Sequence, residues 1–298
     1  MGLFESFNPQ INGSLKAFSN IRVGGQADFI IRVQSKKEFI RLFRICREQG
    51  VRLIPLGHGS NVFFSDGRIK GVVAVLAFSD IVLTDDSSII KVSAGAGLSD
   101  LLEFSFCNSL SGLELFSGIP GTVGGAVFGN AGAYGSDIGS CLLRAEILTE
   151  KGDILTVDNS FFEFAYRDSV LKRNRAVLLE ADFILTRGIQ GEIRKKSEEI
   201  LAVRKKKLPS YEIPTVGSYF KNLCLESGER KAAAIFLDAV GSKDCSVGDA
   251  VVFSGHANII CNRMNCKAED ILRLEEMLVE KVKKRFGITL EREVIYID

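Results

Sequence analysis

The sequence predicts an α+β protein made of more than one compact unit. Three observations lead there. The chain has 298 residues, beyond the size of one ordinary domain. Short apolar strands alternate with amphipathic helices over its first two thirds. After Gly188 the texture changes: a charged helical pattern over residues 192–207 ends in Arg204-Lys205-Lys206-Lys207. Pro209 and Pro214 then bracket an entrance to a second set of helices and strands.

The elements follow in order. Residues 35–50 read as a helix, with Ser35 as N-cap, Glu38 as its capping-box partner and Gly50 as the stop. Phe39, Leu42, Phe43 and Cys46 share one face of it. Strands are expected at 29–33, 51–56 and 62–64, which gives a small β-α-β unit with glycine-rich loops. More are expected at 72–78, 89–93, 145–149 and 177–186, with a short helix from Ser99. Beyond the prolines, a helix is expected near 229–240 and a long amphipathic one over 269–286. The latter carries Ile271, Leu274, Leu278, Val282 and Phe286 at three- and four-residue steps and ends at Gly287. Residues 291–297 read as a final strand.

Composition narrows the function classes. A hydrophobic fraction of 46% with 25% charged residues belongs to a globular protein with a real core. Lys and Arg number 38 against 37 Asp and Glu, so no global field draws the chain to nucleic acid or to an anionic membrane. The longest plainly apolar stretch, residues 71–78, is far short of a membrane span, and residues 1–20 lack a signal-peptide layout. A cytoplasmic address is the expectation. Seven scattered cysteines without a CxxC pair read as reduced packing residues, and two histidines, His58 and His256, cannot build a His-rich metal centre. No metal is expected.

The 29 glycines cluster. Gly57-His58-Gly59-Ser60-Asn61, Gly95-Ala96-Gly97 and Gly118-Ile119-Pro120-Gly121-Thr122-Val123-Gly124-Gly125 form three runs, the last continuing into Asn130-Ala131-Gly132-Ala133-Tyr134-Gly135. A backbone without Cβ atoms can adopt positive φ and turn several N–H groups toward one anion. Ser60, Asn61 and Thr122 add short side chains able to bond phosphate oxygens, so a pyrophosphate is the natural occupant. Tight turns between strands are the alternative, and suffice for Gly95-Ala96-Gly97. Seven glycines in the eighteen residues 118–135 are a poor way to make an ordinary turn. Neither GxGxxG opening a helix nor GxxxxGK[ST] occurs, which argues against a Rossmann fold and a P-loop.

Val23-Gly24-Gly25-Gln26-Ala27, then GHGSN at 57–61, SGIPGTVGG at 117–125 and NAGAYG at 130–135, resembles the FAD-binding half of the UDP-N-acetylenolpyruvoylglucosamine reductases. The resemblance implies a two-part FAD-binding domain of the vanillyl-alcohol-oxidase type over residues 1–203, with subdomains 1–70 and 71–203. A smaller α+β substrate-binding domain over 204–287 would follow, with a last strand at 288–298 returning to the flavin side. It also implies cofactor contacts from Gly57, His58, Gly59, Ser60 and Asn61, from Ser117, Gly118, Ile119, Pro120, Gly121, Thr122, Gly124 and Gly125, and from Asn130, Ala131 and Gly132. Some oxidases of this fold tether FAD through a histidine in the loop that holds His58. The reductases vary there, so non-covalent FAD is expected.

Two more motifs extend the resemblance over nearly the whole chain. Tyr166-Arg167-Asp168-Ser169 is similar to the family's YRxS, and Gly217-Ser218-Tyr219-Phe220-Lys221-Asn222 to its GSxFKN. Glu293 occupies the place of the family's terminal catalytic glutamate. The implied reaction is a ping-pong cycle in which NADPH reduces FAD, NADP⁺ leaves and an enolpyruvyl sugar nucleotide enters, yielding UDP-N-acetylmuramate for peptidoglycan.

Hydride addition to C3 of an enolpyruvyl ether leaves charge on C2 and its carboxylate, which calls for preorganised positive or hydrogen-bonding groups. Arg167 suits the carboxylate, Glu293 must be protonated or share a proton to help an anionic centre, and the resemblance gives C2 protonation to Ser218. Lys221 is a helper to that serine. Tyr166, Lys221, Asn222 and Asn258 are candidate substrate contacts.

Each residue also has a structural reading: Arg167 in an ion pair with Asp168, Ser218 as a turn residue, Glu293 on an edge strand. Two departures from the family pattern stand out. Leu223 replaces the proline that commonly follows GSxFKN, and the short segment between Arg167 and Ser218 marks the compact subtype, which lacks an insertion carrying a substrate-capping tyrosine. Tyr211 is a candidate by proximity alone. The rivals are an FAD-dependent oxidase of the same fold and a non-catalytic flavin- or nucleotide-binding module.

Overall fold

The computed structural model describes residues 2–210, 212–224 and 229–298; Tyr211 lies outside them. The chain divides into two compact units, each with its own hydrophobic core. The first comprises residues 1–11, 29–58 and 71–204, the second 12–28, 59–70 and 205–298. Segments 12–28 and 59–70 therefore belong with the C-terminal part of the chain, an assignment no local pattern announces.

In the first unit, helix α1 (Lys36–Glu48) starts as its cap residues require. Ser35 Oγ accepts the Glu38 N–H at 3.2 Å, and Glu38 Oε2 reaches back to the Gln34 N–H at 2.7 Å. Phe39, Leu42 and Cys46 are buried on its inner face, with Phe43 at the rim. Burial pushes the Cys46 thiol up to about 11, as expected of a packing residue. Strand Leu53–Leu56 runs parallel to the strand that ends at Leu76, Leu53 lying opposite Val72.

A five-stranded antiparallel sheet completes this unit, in the order Ile154–Asp158, Leu142–Leu148, Val177–Ile184, Ile89–Ser93, Ile81–Leu83. Residues alternate between its faces over part of its length, with register shifts between Leu142 and Arg144 and between Glu146 and Ile147. Ala145, Ile147, Ala181, Phe183, Ile90 and Val92 enter the core. On the other face Arg144, Asp182 and Lys91 lie side by side in register, with Asp182 paired at 2.7 and 2.9 Å. Glu146 and Glu180 are also directly opposite each other, a repulsive pair. Lys36 lies between them, 3.0 and 2.5 Å from the two carboxylates. Helices α2 (Leu98–Cys107) and α3 (Val123–Phe128) add Leu98, Leu101, Val123 and Val127 to the core. The short helix α4 (Leu171–Asn174) and α5 (Gln190–Lys207) follow.

The second unit is a four-stranded antiparallel sheet with two helices, α6 (Ala233–Ala239) and α7 (Ala268–Phe286). Its order is Thr215–Ser218, Ile259–Asn262, Ala250–Val252, Ser246–Val247. Ile271, Leu274, Leu278 and Val282 of α7 are buried. Asp66 caps its first turn through the Ala268 and Glu269 N–H groups at 3.0 and 3.2 Å, and Gly287 ends it at φ +70°.

Two expectations need correction. The helix expected near 229–240 is shorter, because Arg230–Lys231 pair antiparallel with Leu223–Cys224. The final strand is confined to Ile295–Ile297, parallel to Val62–Phe64. Residues 291–293 are extended too, but pair elsewhere, and that pairing builds the candidate site.

Candidate active site

Three segments of the second unit meet at Glu293. Its N–H donates to the Tyr219 carbonyl at 2.9 Å, and its own carbonyl accepts from Asn61 Nδ2 at 3.4 Å. The Ile295 N–H returns a bond to the Asn61 carbonyl at 3.0 Å. The main chain of Glu293 thus lies between the end of the first glycine motif and the residue that follows Ser218. Glu293 and Ser218, separated by most of the C-terminal third of the sequence, are neighbours in the fold.

Ser218 ends the strand Thr215–Ser218. Thr215 pairs with Cys261 and Ser218 with Ile259, so the serine strand carries one extra residue, a bulge. Gly217 accommodates it at φ +77°. Nothing lies within 4 Å of a Cβ built on Gly217, so this glycine is needed for its backbone angle and not for space. Thr215 Oγ1 locks the bulge by accepting the Gly217 N–H at 3.2 Å and donating to the Ile260 carbonyl at 2.8 Å. Ser218 is left exposed.

Beyond Ser218 the chain is held by Asn258, which is only 4% exposed. Its Oδ1 accepts the Phe220 N–H at 2.9 Å, its Nδ2 donates to the Phe220 carbonyl at 2.8 Å, and its main-chain carbonyl accepts the Tyr219 N–H at 2.9 Å. The side-chain amide stands in for a missing strand partner. The Asn258 side chain thereby braces the segment that follows Ser218. On the other edge the Lys221 N–H donates to the Glu291 carbonyl at 2.8 Å, and Lys221 Nζ is ion-paired with the Glu291 carboxylate. Asn222 Oδ1 accepts the Ala233 N–H at 3.3 Å, at the first turn of α6.

Tyr166 and Arg167 form the tip of a two-residue turn in the first unit. Ala165 and Asp168 exchange both N–H···O bonds at 3.1 Å beneath it. Arg167 adopts φ +56°, a left-handed conformation that costs a non-glycine residue about 1 kcal/mol and needs external support. Support comes from Asn130, which is 2% exposed: its Nδ2 donates to the Ala165 carbonyl at 2.9 Å and its Oδ1 accepts the Gly139 N–H at 3.1 Å. Fully buried Ser169 donates to the Phe128 carbonyl at 2.8 Å, and Lys172 Nζ donates to the Arg167 carbonyl. The Arg167 guanidinium bonds the Gly132 carbonyl at 2.9 Å and lies 5.3 Å from the Tyr166 ring centroid. Asp168 takes Arg173 as its ion-pair partner. The Arg167 guanidinium is thus directed at the NAGAYG loop.

The long glycine run is fastened at both ends. Before it, Glu114 is buried and accepts from Ser111 Oγ at 2.6 Å and the Gly112 N–H at 3.0 Å. Burial alone would raise its pKa, but these bonds and Lys196 outweigh that and hold it below the usual range. Ser117 Oγ is bonded to Ser197 Oγ of α5 at 2.7 Å. Thr122 is the N-cap of α3, accepting the Gly125 N–H at 3.3 Å. The run read as a loop thus contains a helix. Leu98 N–H to Gly121 O and Val123 N–H to Ala96 O, both 2.9 Å, tie it to the second glycine run. A Cβ on Gly57 would overlap Thr122 Oγ1, so the Gly57-His58 end of the first motif packs directly on the third.

This arrangement fits a diphosphate. Ser117, Thr122 and Asn130, read from the sequence as ligand contacts, brace the loop with their side chains. Among the described residues the N–H groups of Gly118, Gly121 and Thr122 donate no hydrogen bond to the protein. Gly118 and Gly121 stand at φ +78° and +129°. Three unbonded main-chain donors within five residues, two on positive-φ glycines, are chemically suited to take up an anion. Ile119 is anchored, its N–H bonded to the Phe116 carbonyl at 2.9 Å. In the second unit Gly59, at φ +68°, packs so tightly on the Phe18 carbonyl that a Cβ there would overlap it, while His58 is exposed.

These features define a dinucleotide-binding α+β protein whose phosphate loops belong to neither the Rossmann nor the P-loop type. Residues 27–158 match the FAD binding domain family, and residues 208–297 match the C-terminal domain of UDP-N-acetylenolpyruvoylglucosamine reductase. The chain is 35% identical over 292 residues to the UDP-N-acetylenolpyruvoylglucosamine reductase of Clostridium botulinum, covering 98% of this chain and 94% of that one. It is 35% identical over 284 residues to that of Caldanaerobacter subterraneus subsp. tengcongensis, covering 95% and 92%. The crystal structure of UDP-N-acetylenolpyruvylglucosamine reductase from Thermus caldophilus matches with a TM-score of 0.81 at 27% identity, over 97% of this chain and 100% of that one. The chain belongs to the UDP-N-acetylenolpyruvoylglucosamine reductase family. The expected architecture, an FAD-binding domain followed by a smaller C-terminal domain, is borne out.

Sequence reasoning missed Glu114, Tyr219, Glu275 and Arg292. Glu114 bonds its near neighbours Ser111 and Gly112, while Tyr219 and Arg292 both bond Glu275 of α7.

Proposed function

We propose that this protein is an NADPH-dependent flavoenzyme that reduces UDP-N-acetylglucosamine enolpyruvate to UDP-N-acetylmuramate, a step toward peptidoglycan. The observation that carries this reading is the meeting of Asn61, Tyr219 and Glu293 through the Glu293 main chain. A glycine motif for the nucleotide, the serine motif and the terminal glutamate come together there, and neither a plain binding module nor an oxidase needs that combination.

Bound FAD would supply two-electron carriage, from NADPH to C3 of the enolpyruvyl group. The main-chain donors at Gly118, Gly121 and Thr122 would hold the cofactor diphosphate, without a covalent link. Arg167 neutralises the substrate carboxylate; its turn is braced at Ala165 and Ser169, so the guanidinium is preorganised before substrate arrives. Ser218 Oγ gives its proton to C2 as the carbanionic charge develops there. Glu293, protonated, stabilises the charged carboxylate. Lys221 and Asn222, just past Ser218, and Tyr166 support substrate binding. We place the reaction in the cytoplasm of a bacterium, catalysed by a monomer acting on small molecules alone. Among the described residues no helix is long and apolar enough to cross a membrane.

The test is NADPH consumption under anaerobic conditions. Oxidation of NADPH should be stoichiometric with added enolpyruvyl sugar nucleotide and negligible without it, and acid should release a yellow chromophore. Oxygen-linked turnover of an alcohol in place of that reaction would overturn the proposal.

A further inference from the structure

Tyr219, Glu275 and Arg292 form a polar network for which the assignments above have no use. Tyr219 is fully buried, and its hydroxyl donates to Glu275 Oε2 at 2.8 Å. Arg292 Nε donates to Glu275 Oε1 at 2.9 Å, while Arg292 Nη2 lies 2.7 Å from Oε2. The Glu275 carboxylate, 14% exposed, is therefore gripped by a guanidinium fork and a phenol together.

The position of the network in the sequence gives it meaning. Tyr219 directly follows Ser218, and Arg292 directly precedes Glu293. The same segments are paired by their main chains, through Glu293 N–H to Tyr219 O and through the bridge of Phe220 with Arg292. Two peptide strands joined by so few bonds can shear. Glu275 projects from the middle of α7, whose buried stripe anchors it in the core of the unit. One carboxylate on a rigid element thus fixes both strands against the same reference.

Core packing does not require these residue types. Apolar side chains of like volume commonly fill such positions at no loss of stability, whereas a satisfied polar network selects one geometry. Phe63, 6.5 Å from the Tyr219 ring and 5.0 Å from that of Tyr296, already supplies the apolar contact.

We propose that Glu275 is a positioning residue for the proton-transfer half of the reaction, setting the spacing of Ser218 and Glu293 through Tyr219 and Arg292. The inference rests on the reading that Ser218 and Glu293 act on the substrate.

The experiment uses the flavin-loaded enzyme and separates the half-reactions by anaerobic stopped flow, in wild type, Glu275→Gln, Glu275→Leu, Tyr219→Phe and Ser218→Ala. Reduction of the flavin by NADPH should stay within about two-fold of wild type in the Glu275 and Tyr219 variants. Its reoxidation by UDP-N-acetylglucosamine enolpyruvate at saturation should slow about ten- to a hundred-fold in Glu275→Leu, the scale of a misplaced reacting group. Glu275→Gln, which still accepts from the phenol, should slow less. The solvent deuterium isotope effect on reoxidation should rise in the slowed variants, because proton transfer becomes more rate-limiting; a general loss of fold would not produce that rise. Equal slowing of both half-reactions, or wild-type reoxidation in the Glu275 variants while Ser218→Ala is slow, overturns the inference. Wild-type reoxidation in Ser218→Ala overturns the reading beneath it as well.

Discussion

Replacing Asn258 by Asp changes one group, an NH₂ for an oxygen, and its consequence can be worked out from two bonds. In the native structure the side-chain amide donates to the Phe220 carbonyl at 2.8 Å and accepts its N–H at 2.9 Å, in a site only 4% exposed. An ionised Asp keeps the second bond but sets a charged oxygen against the Phe220 carbonyl. A protonated Asp restores both bonds, since its O–H donates where the amide did. The folded state therefore favours the protonated form and raises the pKa above the ordinary value of about 3.9.

The sign follows from that. Below pH ~4 both folded and unfolded chains carry the neutral acid, and the variant should nearly match wild type. As pH rises the unfolded chain ionises first, and the variant loses about 1.4 kcal/mol per pH unit until the folded pKa is reached. The ceiling at pH 7 is about 4 kcal/mol, the cost of keeping a carboxyl protonated three units above its ordinary pKa. Asn258→Leu leaves the Phe220 N–H and carbonyl both unsatisfied, at about 1–3 kcal/mol each and independent of pH. Urea unfolding followed by far-ultraviolet circular dichroism between pH 4.5 and 7.5 separates the two. A pH-independent loss for Asn258→Asp, or no loss, would refute the clamp.

Two further outcomes follow from the same geometry. Gly57→Ala drives a methyl into Thr122 Oγ1 and should weaken FAD retention and cost about 1 kcal/mol through the lost α3 cap; in a Thr122→Ala background the added cost should largely vanish, as non-additive melting temperatures would reveal. His256 has its pKa lowered, chiefly by burial and then by the Lys243 charge, and its Nδ1 accepts the Asn258 N–H at 3.2 Å. Because the unfolded chain takes up the proton first, stability should be full above pH ~6.5 and fall as pH drops below it. His256→Gln should remove that part of the fall in unfolding midpoint between pH 7.5 and 5.5.

Local chemistry was readable where local rules decide the outcome. Ser35 and Glu38 announce the start of α1, and Ile271, Leu274, Leu278 and Val282 announce the buried face of α7. The helix inside the glycine run was hidden, because Val123-Gly124-Gly125 has poor intrinsic propensity and owes its turn to the Thr122 cap and to the bonds that the Val123 and Gly124 N–H groups donate to the Ala96 and Ala94 carbonyls. The clamp that Asn258 makes has no sequence signature of its own, because it depends on the path of Phe220. Arg167 beside Asp168 suggests an ion pair; in the structure the Arg167 guanidinium bonds the Gly132 carbonyl and Asp168 pairs with Arg173. The membership of residues 59–70 in the second unit depends on pairings such as Val62 with Ile295, which no window of sequence encodes. Glu275 lies beside the apolar stripe of its helix and reads as a surface residue until Tyr219 and Arg292 are seen around it.

The account turns on the proton carried by Ser218, and one comparison addresses it. Ser218→Ala enzyme, loaded with FAD, is reduced anaerobically by NADPH and then mixed with UDP-N-acetylglucosamine enolpyruvate in a stopped-flow spectrometer. Flavin reduction should proceed at nearly the wild-type rate, and reoxidation should slow by about 10²–10⁴-fold, the worth of a positioned general acid. Equal slowing of the two half-reactions, or reoxidation at the wild-type rate, would contradict the account.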